Sequence, residues 1–163
     1  MKVQVKIQGE DIVGERSLRL NNQWPVARLK LIAEGLRRSR AGDELFLFEE
    51  NGKQPLCDRD PIPSGTKGMV RLHLHRCRHV HVTVSLAGET HARYFSPGTT
   101  FARILLWAQA THSSTTQETG LTEPGLRIAG TQTQPDLHAH VGIFVDFPFC
   151  EIALDLMVSS LSF

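Results

Sequence analysis

Residues 69–86 read MVRLHLHRCRHVHVTVSL, and this stretch contains two alternating segments joined by Arg76-Cys77-Arg78. In each segment a valine or leucine recurs at every second position, which is the period of a half-buried β-strand. The joint contains no Gly, Ser or Pro. Because so short a connection limits relative motion, we expect the units on its two sides to hold a preferred orientation.

The chain on the N-terminal side of this stretch predicts a hairpin, a helix and further strands. Val3, Val5 and Ile7 share one face of an opening strand. From Val26, behind Pro25, apolar residues recur every three or four positions, which favours a helix. The predicted elements are strands over 2–8, 12–20, 44–48 and 53–56, a helix from 26 to a stop at 41–43, and a closing strand over 69–75.

The chain on the C-terminal side repeats this order. Strands are predicted over 80–86 and 90–95, and Ser96 before Pro97 is typical of a helix N-terminus. A polar loop, a short strand over 126–130 and a final strand over 151–158 follow. The order recurs after about 77 residues, which indicates a duplication. We predict an α+β fold of two domains, residues 1–76 and 77–163.

Charge and composition exclude two classes of partner. The chain of 163 residues carries 18 Lys+Arg against 17 Asp+Glu, a net charge of +1. Residues 1–77 hold 14 basic and 10 acidic residues (+4), whereas the remainder holds 4 and 7 (−3). Binding of nucleic acid by bulk charge needs a basic excess, and a membrane span needs roughly 20 apolar residues in a row. We therefore expect neither nucleic acid nor membrane as a partner.

The three cysteines and the N-terminus bear on location. Cys57, Cys77 and Cys150 are an odd number without a Cys-x-x-Cys pair, so we predict free thiols in a reducing compartment. The first residues alternate and lack the apolar core of a secretory signal. The sequence thus favours a cytoplasmic protein.

A cluster of four histidines and one cysteine surrounds the joint. His73, His75, Cys77, His79 and His81 are residue types that bind zinc or copper. Alternation places the histidines on the outer faces of two strands, beside arginines that disfavour a cation. We therefore predict a polar outer face and no metal site.

Motifs for catalysis are missing from the sequence. It contains no Gly-x-Ser-x-Gly and no glycine-rich phosphate loop, and its cysteines fit no Cys/His nucleophile signature. Asp58 and Asp60 are paired carboxylates in a proline-bounded loop without a partner base. A domain of this size also has little room for a deep pocket. We expect no enzymatic activity, no catalytic residues and no cofactor.

Aromatic side chains on expected outer faces are candidates for binding a partner. If Leu45 and Leu47 point into the first core, Phe46 and Phe48 point away from it. The same rings would also suit an interface between the two domains. Further aromatic candidates in the second half are Trp107, Phe144, Phe147 and Phe149.

The element order resembles the β-grasp order of the ubiquitin family. The opening strand, the segment Leu45 to Gln54 with its Gly-Lys-Gln step, and the closing strand Thr66 to Leu74 carry the resemblance. The second half matches in order and in its closing strand around Ile152 to Leu156. Two such domains in tandem resemble the interferon-induced two-domain ubiquitin-like modifier, and still more the Bil-type ubiquitin-like proteins of bacterial antiphage operons.

The resemblance implies a protein modifier. An E1-like activating enzyme would adenylate the C-terminal carboxylate, an E2-like conjugating enzyme would pass it to a target protein, and a JAB-type protease would remove it. The conjugation tail would comprise Ser160, Leu161, Ser162 and Phe163.

The tail departs from the terminal Gly-Gly of eukaryotic family members. Either the Phe163 carboxylate is used directly, or a protease first removes the last residues, or the chain is not conjugated. In the last case the alternative is a non-covalent ubiquitin-like adaptor that binds its partner through Phe46 and Phe48.

Overall fold

A computed structural model describes residues 1–40, 42–112 and 123–159; the side chains of residues 123, 158 and 159 are outside the description. In the first unit the strands are β1 (Lys2–Gly9), β2 (Arg16–Asn21), β3 (Phe46–Glu49) and β4 (Met69–His75), with helix α1 at Val26–Glu34. The sheet order is β2-β1-β4-β3. The central pair β1 and β4 is parallel, and the outer strands are antiparallel to their neighbours.

The second unit repeats this topology. Its strands are β5 (Val80–Leu86), β6 (Glu89–Phe95), β7 (Glu123–Ile128) and β8 (Glu151–Ser159), with helix α2 at Phe101–Thr111 and a 3₁₀ helix at Val141–Phe144. The order is β6-β5-β8-β7, again with a parallel central pair. One apolar core contains Val5, Leu29 and Leu72, and a separate core contains Val82, Ile104 and Leu154. The predicted α+β duplication is confirmed.

Helix α1 is shorter than predicted, because it ends at Glu34 and not near Ala41. The Gly35 amide still bonds to carbonyls of the helix, and the next amides bond only three residues back. The chain then turns so that Arg37 reaches Glu10, with 2.9 Å between Nη1 and Oε1. A buried ion pair thus replaces the last predicted turns.

Helix α2 begins later than predicted. The prediction of Ser96 as N-cap is wrong, because the cap is Thr100, whose Oγ1 accepts from the Arg103 amide at 3.2 Å. Residues 96–100 are buried and form a turn instead, in which the Thr99 amide donates to the Ser96 carbonyl at 3.1 Å. The short strand predicted over 53–56 is also not formed, although the Leu56 amide donates to the Leu47 carbonyl at 2.7 Å.

The prediction of three free thiols is wrong for two of them. Cys77 and Cys150 form a disulfide, and Cys57 is free and exposed. The parallel pairing of β5 with β8 explains the contact, since the His81 amide donates to the Cys150 carbonyl at 2.8 Å. Strand pairing therefore brings the joint next to the start of β8, with 5.8 Å between the two cysteine Cα atoms.

Candidate functional site at the domain junction

The predicted conjugation tail, Ser160 to Phe163, lies outside the described residues. Strand β8, which precedes it, lies between β5 and β7 in the sheet. The tail therefore follows an interior strand that is paired on both sides.

The two predicted partner-binding phenylalanines differ in environment. Neither belongs to the core of the first unit, which fits the predicted outward direction. Phe48 is nevertheless completely buried, because Gly98 of the second unit packs onto it; a side-chain carbon on Gly98 would lie 3.2 Å from Phe48 Cβ. Phe46 is half-buried, and the Arg78 guanidinium lies 5.5 Å from its ring centre. Of these two phenylalanines, Phe46 is the one that a partner can contact.

His73 and His75 are completely buried, so the prediction that they lie on a solvent face is wrong. Alternation places them correctly on the side of β4 opposite the core. The second unit covers that side with its buried turn at 96–100 and with the segment around its 3₁₀ helix. The hydrogen-bond partners of the two rings include His140 and the Gly142 carbonyl.

The hydrogen bonds of His75 define its tautomer. The Cys77 amide donates to His75 Nδ1 at 2.8 Å, so this nitrogen carries no proton. Nε2 therefore carries it and donates to the carbonyls of Gly142 (3.0 Å) and Val145 (3.2 Å). Burial lowers the pKa of His75, although Glu10 opposes that effect. A neutral ring thus joins the first unit, the joint and the second unit.

A second chain of hydrogen bonds runs from His73 to the protein surface. His140 Nε2 donates to the Glu50 carboxylate at 2.9 Å, which leaves His140 Nδ1 as the acceptor of a neutral ring. His73 Nδ1, 3.1 Å away, then donates to it. Burial lowers the pKa of His140 despite Glu50, and burial with the neighbouring histidines lowers the pKa of His73 well below its usual range. Both rings are therefore neutral at pH 7.

Asn51 holds the turn at 96–100. Its backbone amide donates to the Gly98 carbonyl at 3.0 Å. Its side-chain Oδ1 accepts from the Thr100 amide at 2.9 Å and from Thr100 Oγ1 at 3.2 Å. A side chain of the first unit thus satisfies the backbone just before α2. This explains why the residues predicted to start the helix form a turn that precedes it.

Glu10 forms the ionic part of the junction. Its carboxylate accepts from Arg37 at 2.9 Å and from Arg76 Nε and Nη2 at 2.8 and 3.0 Å. Burial alone would raise the pKa of Glu10, but these hydrogen bonds outweigh it and lower the pKa to about 2. Arg76 also lies over the Phe147 ring, at 4.7 Å from its centre. Arg76, which belongs to the joint, is therefore held by the Glu10 carboxylate and by the Phe147 ring.

The remaining candidates are dispersed. His79 and His81 lie beside Tyr94, with ring centres 6.3 and 5.0 Å from it. Within the part of the chain that the structure describes, no group of three or more His, Cys, Asp or Glu is arranged to hold a metal ion. Phe149 is exposed, Phe144 is partly exposed and packs on Phe101, and Trp107 contacts Phe95.

The sequence pattern did not predict three residues of the junction. Asn51 and Glu50 read as an ordinary turn after β3, and His140 lies in a stretch with no clear period. Each has its partner 49 to 90 positions away in the chain. The one usable signal was the unusual density of histidines on the outward side of β4.

One family model matches the second unit. Residues 81–159 match the family model described as BilA ubiquitin-like domain 2. A solved structure, the pParkin-pUb-UbcH7 complex, matches 50% of this chain at 22% identity with a TM-score of 0.38. The match spans 25% of that chain, and so distant a likeness carries no statement about function. No curated protein matches this chain.

The chain is thus a protein of two tandem ubiquitin-like β-grasp domains. The family match lies within the second of these domains. Among the residues described, no helix is long and apolar enough to cross a membrane.

Proposed function

We propose that this protein is a Bil-type ubiquitin-like modifier that is attached to target proteins through its C-terminal carboxylate, in bacterial antiviral defence. The observation that carries the proposal is the match of residues 81–159 to a BilA ubiquitin-like domain. An E1-like enzyme adenylates the carboxylate, an E2-like enzyme receives it as a thioester, and a JAB-type protease reverses the linkage. The protein itself is the substrate of these enzymes and carries no catalytic group.

The position of β8 supports a role for Ser160 to Phe163 as the conjugation tail. This strand is paired on both sides, so the residues that follow it start from a fixed point of the second domain. Ser160 and Ser162 are small enough for a narrow enzyme channel, whereas Leu161 and Phe163 are larger than the glycines of eukaryotic tails. Activation therefore uses either the Phe163 carboxylate or one produced by trimming.

The test is formation of a thioester. The protein is incubated with ATP and a Bil-type E1-like enzyme, and adducts are measured by intact mass spectrometry with and without dithiothreitol. We expect an adduct that dithiothreitol cleaves. An E1-like enzyme whose catalytic cysteine is replaced by serine is the control for thioester chemistry, and protein lacking Leu161 to Phe163 tests which terminus reacts. Absence of any adduct from both the full and the trimmed protein would overturn the proposal.

We further propose that the domains span residues 1–76 and 77–163, that the protein acts in the cytoplasm, and that Phe46 contacts a partner. Of the two predicted partner-binding rings, Phe46 and Phe48, only Phe46 is partly exposed, and this supports the last point. Phe46→Ala should weaken transfer from the E1-like to the E2-like enzyme, whereas Leu18→Ala, at a half-buried site on β2, should leave the transfer rate unchanged. Equal transfer rates for the two variants would remove Phe46 from the enzyme contact.

A further inference from the structure

Three buried histidine rings connect the two domains. His73 and His75 belong to β4 of the first domain, and His140 directly precedes the 3₁₀ helix of the second. All three residues are completely buried. The His75 ring binds the Gly142 carbonyl, His73 binds His140, and His140 binds Glu50. Each ring therefore has a hydrogen-bond partner in the other domain.

The pair of His73 and His140 has no place for an additional proton. Their Nδ1 atoms face each other at 3.1 Å and share one hydrogen, while His140 Nε2 donates to Glu50. A proton added to His140 Nδ1 forces the hydrogen of His73 onto Nε2. That atom is buried beside Gly142 and has no hydrogen-bond partner among the described residues. A buried, charged ring with an unpaired N–H is costly, so the docked arrangement disfavours the additional proton.

His75 also has both ring nitrogens occupied. Its Nδ1 accepts from the Cys77 amide at 2.8 Å, and its Nε2 donates to the carbonyls of Gly142 and Val145. A proton on Nδ1 would place two N–H groups against each other. The ring also stacks on His73, with 5.6 Å between the ring centres, so protonation of both rings would bring two cations together. The docked arrangement therefore favours the neutral form of His75 too.

The charges around the two β4 histidines do not reverse this preference. Glu10, after β1, favours the charged form of His75, and Arg37, after α1, opposes it. Burial outweighs Glu10 and lowers the pKa of His75. The titratable groups that act on His73 are the rings of His140 and His75, which add to the effect of burial and lower its pKa further.

The charges around His140 come from three segments of the first domain. Glu50, after β3, and Glu15, before β2, favour the charged ring, whereas Arg71 on β4 opposes it. Burial still lowers the pKa of His140. The carboxylates thus weaken the preference for a neutral ring at this position without abolishing it.

Each domain has the means to remain folded when the junction opens. The two cores share no residue, and the disulfide joins Cys77 and Cys150, which both pack in the second core. Arg76 remains bound to Glu10, because the pKa of this carboxyl, about 2, keeps it ionised in mild acid. A hinge between the domains would therefore lie between Arg76 and Cys77.

We propose that mild acidification separates the two domains at this junction while each domain remains folded. Separation brings the three rings to solvent, where each gains a proton below about pH 6.5. Each proton gained raises the ratio of separated to docked molecules up to about tenfold per pH unit. Strand β8 pairs within the second sheet and takes no part in the opening, so the proposal stands independently of the modifier function.

The test follows the full protein from pH 7.5 to pH 5.0, a range in which ordinary Asp and Glu side chains stay ionised. Small-angle X-ray scattering measures the radius of gyration, and NMR measures the amide shifts of Asn51 and Thr100. We expect both to change reversibly as the pH falls. The amide shifts of Val5 and Val82, one in each core, and the far-ultraviolet circular dichroism should stay constant.

His140→Gln removes one of the three titrating rings, and His138→Gln is the matched control at an exposed position nearby. From pH 7.5 to pH 5.5 the ratio of separated to docked molecules should rise up to about tenfold less in His140→Gln than in the wild type. The control should match the wild type. Ring spectra of the wild-type histidines provide a second measurement that does not depend on a variant, since His73 and His75 should gain protons in the pH range of separation.

Three results would overturn the proposal. The first is a constant radius of gyration with constant amide shifts of Asn51 and Thr100 down to pH 5.0, whether or not the rings gain protons. The second is loss of the circular dichroism signal in the same pH range as separation, which would mean unfolding. The third is equal pH dependence of separation in His140→Gln and the wild type, which would assign the opening to other groups.

Discussion

At the residue scale, the junction depends on three histidines that are neutral in the folded protein. Burial lowers the pKa of His73, His75 and His140 below the ordinary value near 6.5. In the unfolded chain these rings take up protons at that ordinary value. The unfolded state therefore binds more protons below about pH 6.5, and the folded state loses stability as the pH falls.

We predict that the free energy of unfolding decreases from pH 7 to pH 5, with a slope that approaches about 1.4 kcal/mol per pH unit below pH 6.5 for each histidine that stays neutral when folded. Urea titrations across this range measure the slope. His140→Gln should reduce this slope by up to about 1.4 kcal/mol per pH unit, the contribution of one proton. His138→Gln, at an exposed position, should leave the slope unchanged. A slope that is the same for wild type and His140→Gln would contradict the neutral state of this ring.

Glu10 provides a second prediction at this scale. Glu10→Gln leaves the Arg37 guanidinium, whose side chain is 2% exposed, without its charged partner. We expect a loss of about 3 kcal/mol in the free energy of unfolding. The matched control is Glu15→Gln, whose partners Lys6 and Arg71 are 4.0 and 3.6 Å away and partly exposed, and which should cost less than about 1 kcal/mol. Equal losses would show that the Glu10 cluster is no stronger than a surface pair.

The Glu10 cluster also has its own pH window. Its folded pKa of about 2 lies below the ordinary value of 4.5. Its contribution is therefore complete above about pH 4.5 and is lost as the pH falls towards 2, below the window of the histidines. The Glu10→Gln variant should lack this second, more acidic loss in urea titrations.

At the scale of elements, periodicity predicted the strands β4 and β5 well and the helix ends poorly. Alternation located β4 and β5 at their observed bounds, because each has one face in a core. Helix α1 ends early because Arg37 pairs with Glu10, and α2 starts late because Asn51 binds the residues before it. Both causes are contacts between residues far apart in the sequence, and a local pattern of residues does not reveal such contacts.

The 3₁₀ helix packs against β4 at Gly142. A side-chain carbon at this position would lie 2.8 Å from Pro97 Cβ and 2.9 Å from the Pro97 carbonyl oxygen, and would also meet His73. We predict that Gly142→Ala separates the two domains and lowers the free energy of unfolding by about 1–3 kcal/mol. Gly42→Ala is the control, since nothing lies within 4 Å of the added carbon. Unchanged NMR shifts for the Asn51 and Thr100 amides in Gly142→Ala would refute the prediction.

The disulfide ties the joint to β8 and closes a loop over a sequence separation of 73. By chain entropy such a crosslink stabilises the folded state by up to about 4 kcal/mol. We predict that iodoacetamide modifies one thiol per chain under denaturing, non-reducing conditions and three after reduction. Cys77→Ser with Cys150→Ser should unfold at lower urea, whereas Cys57→Ser should match the wild type. Three modified thiols before reduction would mean that the bond does not form in the purified protein.

At the scale of the whole molecule, the two cores and their order follow from the sequence, and the junction does not. Alternation places Phe48, His73 and His75 on the outward face of the first sheet, but the same pattern describes a face covered by solvent or by another domain. The second domain buries all three side chains. The short joint predicts a preferred orientation, and the contacts of Asn51, His140 and Gly142 define which orientation it is.

The distribution of lysines leads to the last prediction, which rests on the modifier function. All five lysines, at positions 2, 6, 30, 53 and 67, lie in the first half of the chain, so isopeptide links between copies can form only there. Lys30 is 3.1 Å from Asp58 and largely buried, whereas Lys2, Lys53 and Lys67 are exposed. We expect peptide mapping of self-conjugates to find links at these three, and replacement of the three by arginine to remove most of them while thioester formation continues. Links that persist at an unchanged level in this variant would mean that another nucleophile, such as the N-terminal amine, accepts the carboxylate.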